Sequence, residues 1–163
     1  MIDVARYANV HRHGVLDVIL PIQQLEFGIP ITLREQPDLL DIPTFYQRRA
    51  GNFWVALDGS QVVGTIALLD IGNGEGALRK MFVRPPYRGA VVGVARRLLD
   101  TLLCWCEIQR VGRLYLGTTA KLRAAQRFYE KNGFRRIERR ELPGAFPLMA
   151  VDSLFYRLDL AGS

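Results

Sequence analysis

The hydrophobic pattern of this chain changes its period near residue 90. Before that point, residues 53–57 and 61–69 are rich in amino acids that favour β-strands, and the Asp58-Gly59 pair between them is typical of a tight hairpin. After it, apolar side chains recur at steps of three and four from residue 91 to residue 109, which predicts an amphipathic helix. The chain is therefore expected to fold as an α/β domain with helices packed on a sheet.

Turn signals predict the other elements of the first half. A first strand is expected at residues 2–7, followed by a helix at residues 11–27 that Pro21 interrupts. The sequence Gly72-Asn73-Gly74 indicates a reversal before a strand at residues 77–83. Three antiparallel strands are therefore expected in succession.

The second half alternates strands and helices. A short strand is predicted at residues 113–117, followed by a helix that Thr118 or Thr119 would cap and that Asn132-Gly133 would end. Strands at residues 134–137 and 154–160 complete the sheet. The apolar side of the second helix is formed by Leu122, Ala125, Phe128 and Tyr129.

This order of elements predicts the topology. The strand that ends at Val83 and the strand that ends at Gly117 are joined by a helical crossover, so they are expected to be parallel. The sheet is predicted to be mixed and mostly antiparallel, with about six to seven strands, helices on both faces and a single domain over residues 1–163. Open sheets bind ligands at the carboxyl ends of parallel strands, which places the candidate site there.

The composition argues against several kinds of protein. No apolar run approaches the ~20 residues of a membrane-spanning helix, so a cytoplasmic protein without a membrane partner is expected. Cys104 and Cys106 are two positions apart in a predicted helix, point to different faces and are expected to be reduced. Because His11 and His13 are the only histidines, no metal site is predicted. The formal charge of +6 is compatible with a phosphorylated ligand, an acidic surface or nucleic acid.

Residues 81–95 lead from a predicted strand through a proline-containing turn into a helix. Gly89 and Gly93 have no side chain, so backbone N–H groups of the turn and of the helix N-terminus can approach an anion closely. Arg84 and Arg88 add charged donors, so a phosphate or diphosphate suits the segment. The alternative is a close-packed corner whose arginines face water. The chain has neither the Gly-Lys-Ser/Thr of a phosphate loop nor the Gly-x-Gly-x-x-Gly of a dinucleotide fold.

Two motifs in this order resemble those of a known family. The first contains Phe-Val, Arg-x-x-Tyr-Arg-Gly and a Gly-x-Ala helix start, and the second contains Leu-Gly-Thr-Thr and Ala-Ala-x-x-Phe-Tyr-Glu-Lys-x-Gly-Phe. Together they are similar to the GNAT superfamily of acyl-CoA-dependent N-acetyltransferases, over about residues 50–160. The resemblance implies a GNAT-like fold, acetyl-CoA as the cosubstrate, and transfer of its acetyl group to a primary amine.

The resemblance also implies which residues bind acetyl-CoA. The backbone of residues 81–83 would pair with the pantetheine arm, and the amides of residues 88–94 would hold the pyrophosphate. The implied cosubstrate-binding residues are Met81, Phe82, Val83, Arg88, Gly89, Ala90, Val91, Val92, Gly93, Val94, Thr118, Arg127 and Phe128.

Tyr129 is the catalytic residue that the resemblance implies. It would return a proton to the departing thiolate, which suits a phenol because it stays protonated at neutral pH. The alternative is that Tyr129 only packs beside Phe128 on the apolar face of its helix.

The pyrophosphate motif departs from the usual Arg/Gln-x-x-Gly-x-Gly/Ala pattern. One register places it on Arg88, Val91 and Gly93, with valine where glycine is usual. The other uses Gly93 and Ala95 for the last two positions, with Ala90 in place of Arg/Gln. Both registers stay open.

Two further positions differ from the family pattern. Leu122 replaces an asparagine that is common seven residues before the tyrosine, and Ala77 stands where many relatives carry a glutamate base. Glu75 is two residues away, but a carboxylate in a glycine-rich turn is often only solvated. A water chain or a carboxylate from residues 26–41 is an alternative base.

The alternative to catalysis is a module that senses acyl-CoA or binds nucleic acid through its basic surface. No helix-turn-helix or aromatic nucleic-acid motif is present, so nucleic acid is not the expected partner. Residues 28–49 and 141–152 are expected to select the acceptor, because such loops cover the open end of a sheet. A small amine, an antibiotic, a peptide N-terminus and a protein lysine all fit, and a homodimer stays open.

Overall fold

The computed structural model describes residues 1–160, which form one seven-stranded mixed sheet with helices on both faces. The strands are β1 Ile2–Arg6, β2 Asn52–Asp58, β3 Gln61–Gly72, β4 Glu75–Val83, β5 Arg113–Thr118, β6 Arg135–Ile137 and β7 Leu154–Asp159. The α-helices are α1 Arg12–Pro21, α2 Pro37–Leu40, α3 Ile42–Tyr46, α4 Val94–Gln109 and α5 Arg123–Lys131.

The strands follow the order β1-β2-β3-β4-β5-β7-β6. The pair β4–β5 is parallel, as predicted from the helical crossover between them, and the other neighbouring pairs in the described chain are antiparallel. The predicted mixed, mostly antiparallel sheet is therefore confirmed.

Two predicted turns are confirmed. The first hairpin forms where predicted, but its two-residue turn is Gly59-Ser60 and not Asp58-Gly59, because Asp58 pairs with Gln61; Gly59 has a φ of 62°. Asn73 and the two glycines beside it also have positive φ, as a tight reversal between β3 and β4 requires.

Helices from different parts of the chain cover the two faces of the sheet. On one face, α4 buries Leu98, Leu99, Leu102 and Cys106 against the sheet, in a cluster that also contains Tyr129 of α5. On the other face, the cluster formed by α1, α2 and α3 includes Ile19, Leu39 and Tyr46 together with Phe53 of β2. The two layers hold the carboxyl ends of β4 and β5 between them.

Pro21 ends α1, and the next five residues form a single π-helical turn, Ile22–Glu26. This confirms the predicted interruption, because proline has no N–H to continue the helical bonding. The π turn carries Gln23 inward and leaves Glu26 on the surface.

Two predicted helix starts were wrong. Helix α4 begins at Val94, not near residue 91, because Gly93 has a left-handed φ of 72° and Val91 is fully exposed. Helix α5 begins at Arg123, and neither predicted threonine caps it: Thr118 is the last residue of β5, and Leu122 occupies the N-cap position.

Candidate active site

The strands β4 and β5 separate after a short stretch of pairing. Their register runs only from Glu75 opposite Arg113 to Ala77 opposite Tyr115. Strand β4 then continues for six residues and β5 for three without pairing to each other. The separation leaves an open cleft at the carboxyl ends of both strands, where the sequence predicted a ligand site.

A β-bulge distorts β4 beside this cleft. The pairing of β3 with β4 shifts between Thr65 and Ala67, and Lys80 adopts a left-handed φ of 53°. The hydroxyl of Thr65 donates a 2.6 Å hydrogen bond to the carbonyl of Lys80 and so holds the bulge. Positive φ is rare for residues other than glycine, so the bulge makes this part of β4 a candidate functional segment.

The turn of residues 88–93, called the anion turn below, lies between the end of β4 and α4. The amides of Gly89, Ala90, Val91 and Val92 donate to no backbone carbonyl of the described residues. A Cβ on Gly89, whose φ is 100°, would meet no other atom within 4 Å. The helix N-terminus adds further unbonded amides and a positive dipole end, so the turn can bind an anion.

Two amides predicted to bind the pyrophosphate are already bonded within the turn. The amide of Arg88 donates to the carbonyl of Pro85 at 3.2 Å, and the amide of Gly93 donates to the carbonyl of Gly89 at 3.0 Å. Val94 is buried at the start of α4, where its own N–H has no partner within the helix.

The guanidinium of Arg88 is held by Glu26. One of its nitrogens lies 2.7 Å from Oε1 of Glu26, and its Nε donates to the carbonyl of Val83 at 2.8 Å. Arg84 instead donates through Nε to the carbonyl of Val62. Both arginines thus fix the shape of the β4–α4 connection, and Arg88 stands at the edge of the anion turn.

Tyr129 lies on α5 with its ring in the core and no hydrogen-bond partner for its hydroxyl among residues 1–160. The ring contacts Phe128, Phe134 and Tyr156, with centroids 5.5 to 6.1 Å apart. No buried side-chain oxygen in the described chain lacks a partner, so the hydroxyl keeps contact with solvent. Burial raises the pKa of Tyr129, and the charge of Asp152 raises it further, so the phenol stays protonated.

A cavity of about 100 Å³ opens in the cleft. Its wall is formed by Arg79 and Lys80 of β4, by Thr118 of β5, and by the segment that precedes β7. Leu122 also lines it, in the position where relatives commonly have asparagine. Tyr129 is not part of the wall, and its link to the cavity is the electrostatic effect of Asp152.

Lys80 is the centre of a buried polar network behind the cavity. Its Nζ lies 2.5 Å from Oε1 of Gln36 and 3.5 Å from Oδ2 of Asp38. Tyr46 donates to the same carboxylate oxygen at 2.6 Å, and Gln23 exchanges hydrogen bonds with Gln36. Burial lowers the pKa of Lys80 to about 8, although Asp38 opposes the shift.

Asp152 is a cavity residue at the end of segment 141–152, which the sequence predicted to select the acceptor without assigning Asp152 a role of its own. Its carboxylate lies over Gly117 of β5: a Cβ added there would come within 2.5 Å of Oδ2. Burial raises the pKa of Asp152, whereas Arg79 and Lys80 lower it. The local signal for this close approach is Gly117, the glycine directly before the threonine pair Thr118-Thr119.

Glu75 lies too far from the cleft to act there. It is the first residue of β4, and its carboxylate accepts a hydrogen bond from Tyr115 at 3.2 Å and lies 3.6 Å from Arg113. Five residues of strand, at about 3.3 Å each, separate it from the bulge at Lys80. The structure thus argues against Glu75 as the base.

The remaining predicted cosubstrate residues surround the cleft unevenly. Met81 and Phe82 are half-buried, Val83 is buried, and all three follow the bulge on the unpaired edge of β4. Thr118 is buried at the end of β5, whereas Arg127 is exposed on α5. Phe128, on α5, packs partly against the core.

No group of three or more potential metal ligands occurs among residues 1–160. Within the same residues, no helix has the length and apolar character that crossing a membrane requires.

An open parallel pair, a bulged strand and an anion-binding helix start together define an α/β domain built to hold an extended phosphorylated ligand. Residues 49–136 match a family model described as an acetyltransferase (GNAT) domain. The chain is 33% identical to the N-acetylaspartate synthetase of Danio rerio over 74% of this chain and 44% of that protein. It is 30% identical to N-acetyltransferase 8F1 of Rattus norvegicus, over 72% and 54%. The chain thus spans about half the length of these curated relatives.

Solved structures agree with the family model. A GNAT-family acetyltransferase from Staphylococcus aureus Mu50 is 39% identical, with a TM-score of 0.95 over 98% of this chain and 99% of that one. The PaiA N-acetyltransferase of Thermoplasma acidophilum, solved with coenzyme A, has the same fold at 14% identity, with a TM-score of 0.75 over 98% and 99%. This chain belongs to the GNAT family of acetyltransferases.

Proposed function

We propose that this protein transfers an acetyl group from acetyl-CoA to a primary amine by direct attack. The observation that carries the proposal is the separation of β4 from β5, which opens a cavity lined by residues of both strands near their carboxyl ends. No covalent enzyme intermediate is needed, because holding the two reactants together can supply much of the acceleration.

The chain has groups that fit acetyl-CoA. The unpaired edge of β4 at Met81–Val83 can hydrogen-bond an extended arm, and the free amides of Gly89–Val92 can hold a diphosphate. An added Cβ at Gly89 would meet nothing within 4 Å, so space remains beside the turn for a ligand. When bound there, acetyl-CoA supplies the acetyl group as a thioester.

Tyr129 is proposed as the proton donor. Its hydroxyl has no partner in the described chain, and its raised pKa keeps the phenol protonated at neutral pH, so its O–H group is available to the departing thiolate. The packing of its ring against three aromatic side chains fixes the position of the hydroxyl oxygen.

Asp152 is proposed as the group that accepts a proton from the acceptor. An amine attacks only after its ammonium form has lost a proton, and Asp152 is the carboxylate in the cavity wall. Its raised pKa makes it a better base than an ordinary aspartate, and no other lining residue offers a carboxylate.

The names of the relatives guide the choice of acceptors to test. Several are called N-acetylaspartate synthetase, a name that describes an acetylated amino acid as the product. We propose amino acids as the first class of acceptor to test for this chain.

The test is release of free CoA from acetyl-CoA in the presence of a panel of amines. We expect turnover with at least one amine and a fall in kcat of about 10²-fold or more in Tyr129→Phe, as for the loss of a general acid. Tyr115→Phe is the matched control, because the hydroxyl of Tyr115 contacts Glu75 at the other end of β5. Equal turnover in wild type and Tyr129→Phe would contradict the role of Tyr129.

The alternative proposal, a module that senses acyl-CoA, predicts a different result in the same assay. Such a module would bind acetyl-CoA without releasing CoA for any amine. The single domain over residues 1–163, the cytoplasmic location and a homodimer stay predictions.

A further inference from the structure

We propose that the acceptor is a free amino acid, with its carboxylate bound by Arg79 and its ammonium group bound by Asp152. This inference rests on the proposed function, because it identifies the substrate of the same cavity.

Arg79 offers a cation that has no carboxylate partner. No Asp or Glu oxygen of residues 1–160 comes within 4 Å of its guanidinium, as the ion pairs of the described chain all involve other residues. Its one hydrogen bond is donated to the sulfur of Met149 at 3.0 Å, and sulfur is a weak acceptor. The flat guanidinium can donate two parallel hydrogen bonds to a carboxylate.

The aromatic neighbours of Arg79 restrict its side chain without accepting hydrogen bonds from its N–H groups. Its guanidinium carbon lies 5.9 Å from the ring centroid of Phe45 and 6.0 Å from that of Tyr46, both on α3. These rings stabilise the cation and restrict its side chain, while its N–H groups stay available to a ligand in the cavity.

Asp152 offers the opposite charge across the same cavity. Arg79 lowers the pKa of Asp152, so the two charges interact electrostatically. They form no ion pair within 4 Å, although both line the cavity. Two opposite charges that line one cavity without pairing fit a ligand that carries both signs and lies between them.

The second cation of the cavity wall is already neutralised. Lys80 is paired with Asp38 and hydrogen-bonded to Gln36, so its charge is compensated from behind the wall. The cavity therefore presents a net charge of zero to a ligand: Arg79 on one strand and Asp152 before β7. A zwitterion matches this arrangement, whereas a polycationic amine does not.

The cavity, with a volume of about 100 Å³, also distinguishes between acceptors by the charges in its wall. A lysine side chain or a peptide N-terminus has no carboxylate beside its amine and would leave Arg79 partly desolvated and unpaired.

The transfer balances with these residues. The acceptor ammonium gives one proton to Asp152, and the free amine then forms a C–N bond with the acetyl carbon while the C–S bond breaks. The nitrogen loses a second proton, and the thiolate gains one from Tyr129, which is reprotonated from the nitrogen through solvent. The net products are an N-acetylated amino acid, CoA and one proton, which Asp152 releases to water.

The experiment compares matched acceptors. CoA release is measured with the natural amino acids, and the best of them is compared with its α-amide and with the amine that lacks the carboxyl group. We expect kcat/KM to fall roughly 10- to 100-fold for both analogues, as for the loss of a charged hydrogen-bonding pair. Equal kcat/KM for the acid and its amide would overturn the inference.

Variants of Arg79 link this preference to the residue. Arg79→Gln should raise KM for the amino acid roughly 10- to 100-fold, with an unchanged KM for acetyl-CoA and a much smaller change of KM for the amide. Arg79→Lys, which keeps the charge but loses the planar fork, should recover part of the loss. Arg135→Gln, on the exposed strand β6, is the matched control.

The outcomes separate failure of this inference from failure of the proposed function. CoA release only with amines that lack a carboxylate would overturn the inference and leave acetyl transfer intact. If no amine causes CoA release, amino acids are titrated calorimetrically into protein saturated with CoA. Binding that Arg79→Gln abolishes would support recognition of an amino acid by Arg79, and the absence of binding would refute it.

Discussion

Lys80 is held in a conformation and an environment that a lysine rarely adopts. It is buried, lies in a left-handed conformation and keeps a partner carboxylate at 3.5 Å. Such strain is maintained when the surroundings determine the residue fully, here through Thr65, Gln36 and Asp38. The burial of Lys80 makes the free energy of unfolding depend on pH, because the folded chain binds the Lys80 proton more weakly than the unfolded chain.

The stability of the protein should therefore rise between pH 8 and pH 10.5. In this window the unfolded chain keeps the Lys80 proton, while the folded chain, with a pKa of about 8, has lost it. The difference between the folded-state pKa and the ordinary lysine pKa of 10.5 corresponds to at most roughly 3 kcal/mol of unfolding free energy. Urea unfolding of wild type and Lys80→Met at pH 8, 9 and 10 measures this increase. The unfolding free energy of wild type should rise with pH relative to that of the variant, and parallel pH dependences would contradict the prediction.

Asp152 gives a second pH-dependent prediction. Activity should fall as the pH decreases through the pKa of Asp152, because the protonated carboxyl accepts no proton from the acceptor. The charged groups that act on it are Arg79 and Lys80 of β4, and Tyr129 of α5 lies in its field. Arg79→Gln should move the acidic limb of kcat/KM to higher pH, because Arg79 lowers the pKa of Asp152. An unmoved limb would exclude Asp152 as the titrating group.

Asp152→Asn tests the same residue without a pH series. The amide keeps the shape but cannot accept a proton, so kcat should fall about 10²-fold while the Kd for acetyl-CoA stays unchanged. Equilibrium dialysis and CoA release measure the two quantities. A variant with full activity would show that another group takes the proton.

At the scale of elements, the start of α4 depends on backbone conformation more than on side chains. Gly89 has a φ of 100° in open space, so an alanine there would clash with nothing and would strain the backbone. Gly89→Ala should therefore weaken acetyl-CoA binding about 10-fold by reshaping the anion turn, as measured by calorimetry. Gly144→Ala, at an open position without a positive φ, is the control. Equal affinities would mean that the turn does not bind the cosubstrate.

Local signals in the sequence predicted the elements that depend on local chemistry. The hairpin at Gly59, the end of α1 at Pro21 and the end of α5 before Gly133 all follow from backbone preferences of single residues. The parallel pairing of β4 with β5 followed from the crossover helix.

The parts that could not be predicted depend on contacts between distant segments. Nothing local marks the bulge at Lys80, because a partner network from residues 23–46 holds it. Asp152 reaches the cavity only through the bare backbone of Gly117. The predicted cap at Thr118 was wrong because strand pairing with β7 extends β5 through that residue.

At the scale of the whole molecule, the charge of +6 is spread over the surface. Six of the 22 lysines and arginines form ion pairs in the described chain, including Arg96 with Asp100, Arg113 with Asp159 and Arg140 with Glu138. The local field that matters for acetyl transfer is that of the anion turn, which uses backbone amides and the α4 N-terminus. We therefore expect binding of a diphosphate there to depend on geometry more than on net charge.

The most direct test is a crystal structure of the protein with CoA. The account predicts that the diphosphate contacts the amides of residues 89–92, that the pantetheine arm runs along β4 at Met81–Val83, and that the sulfur lies within hydrogen-bonding reach of the Tyr129 hydroxyl. CoA bound outside the cleft between β4 and β5, or a sulfur remote from Tyr129 while the arm occupies the cleft, would contradict it.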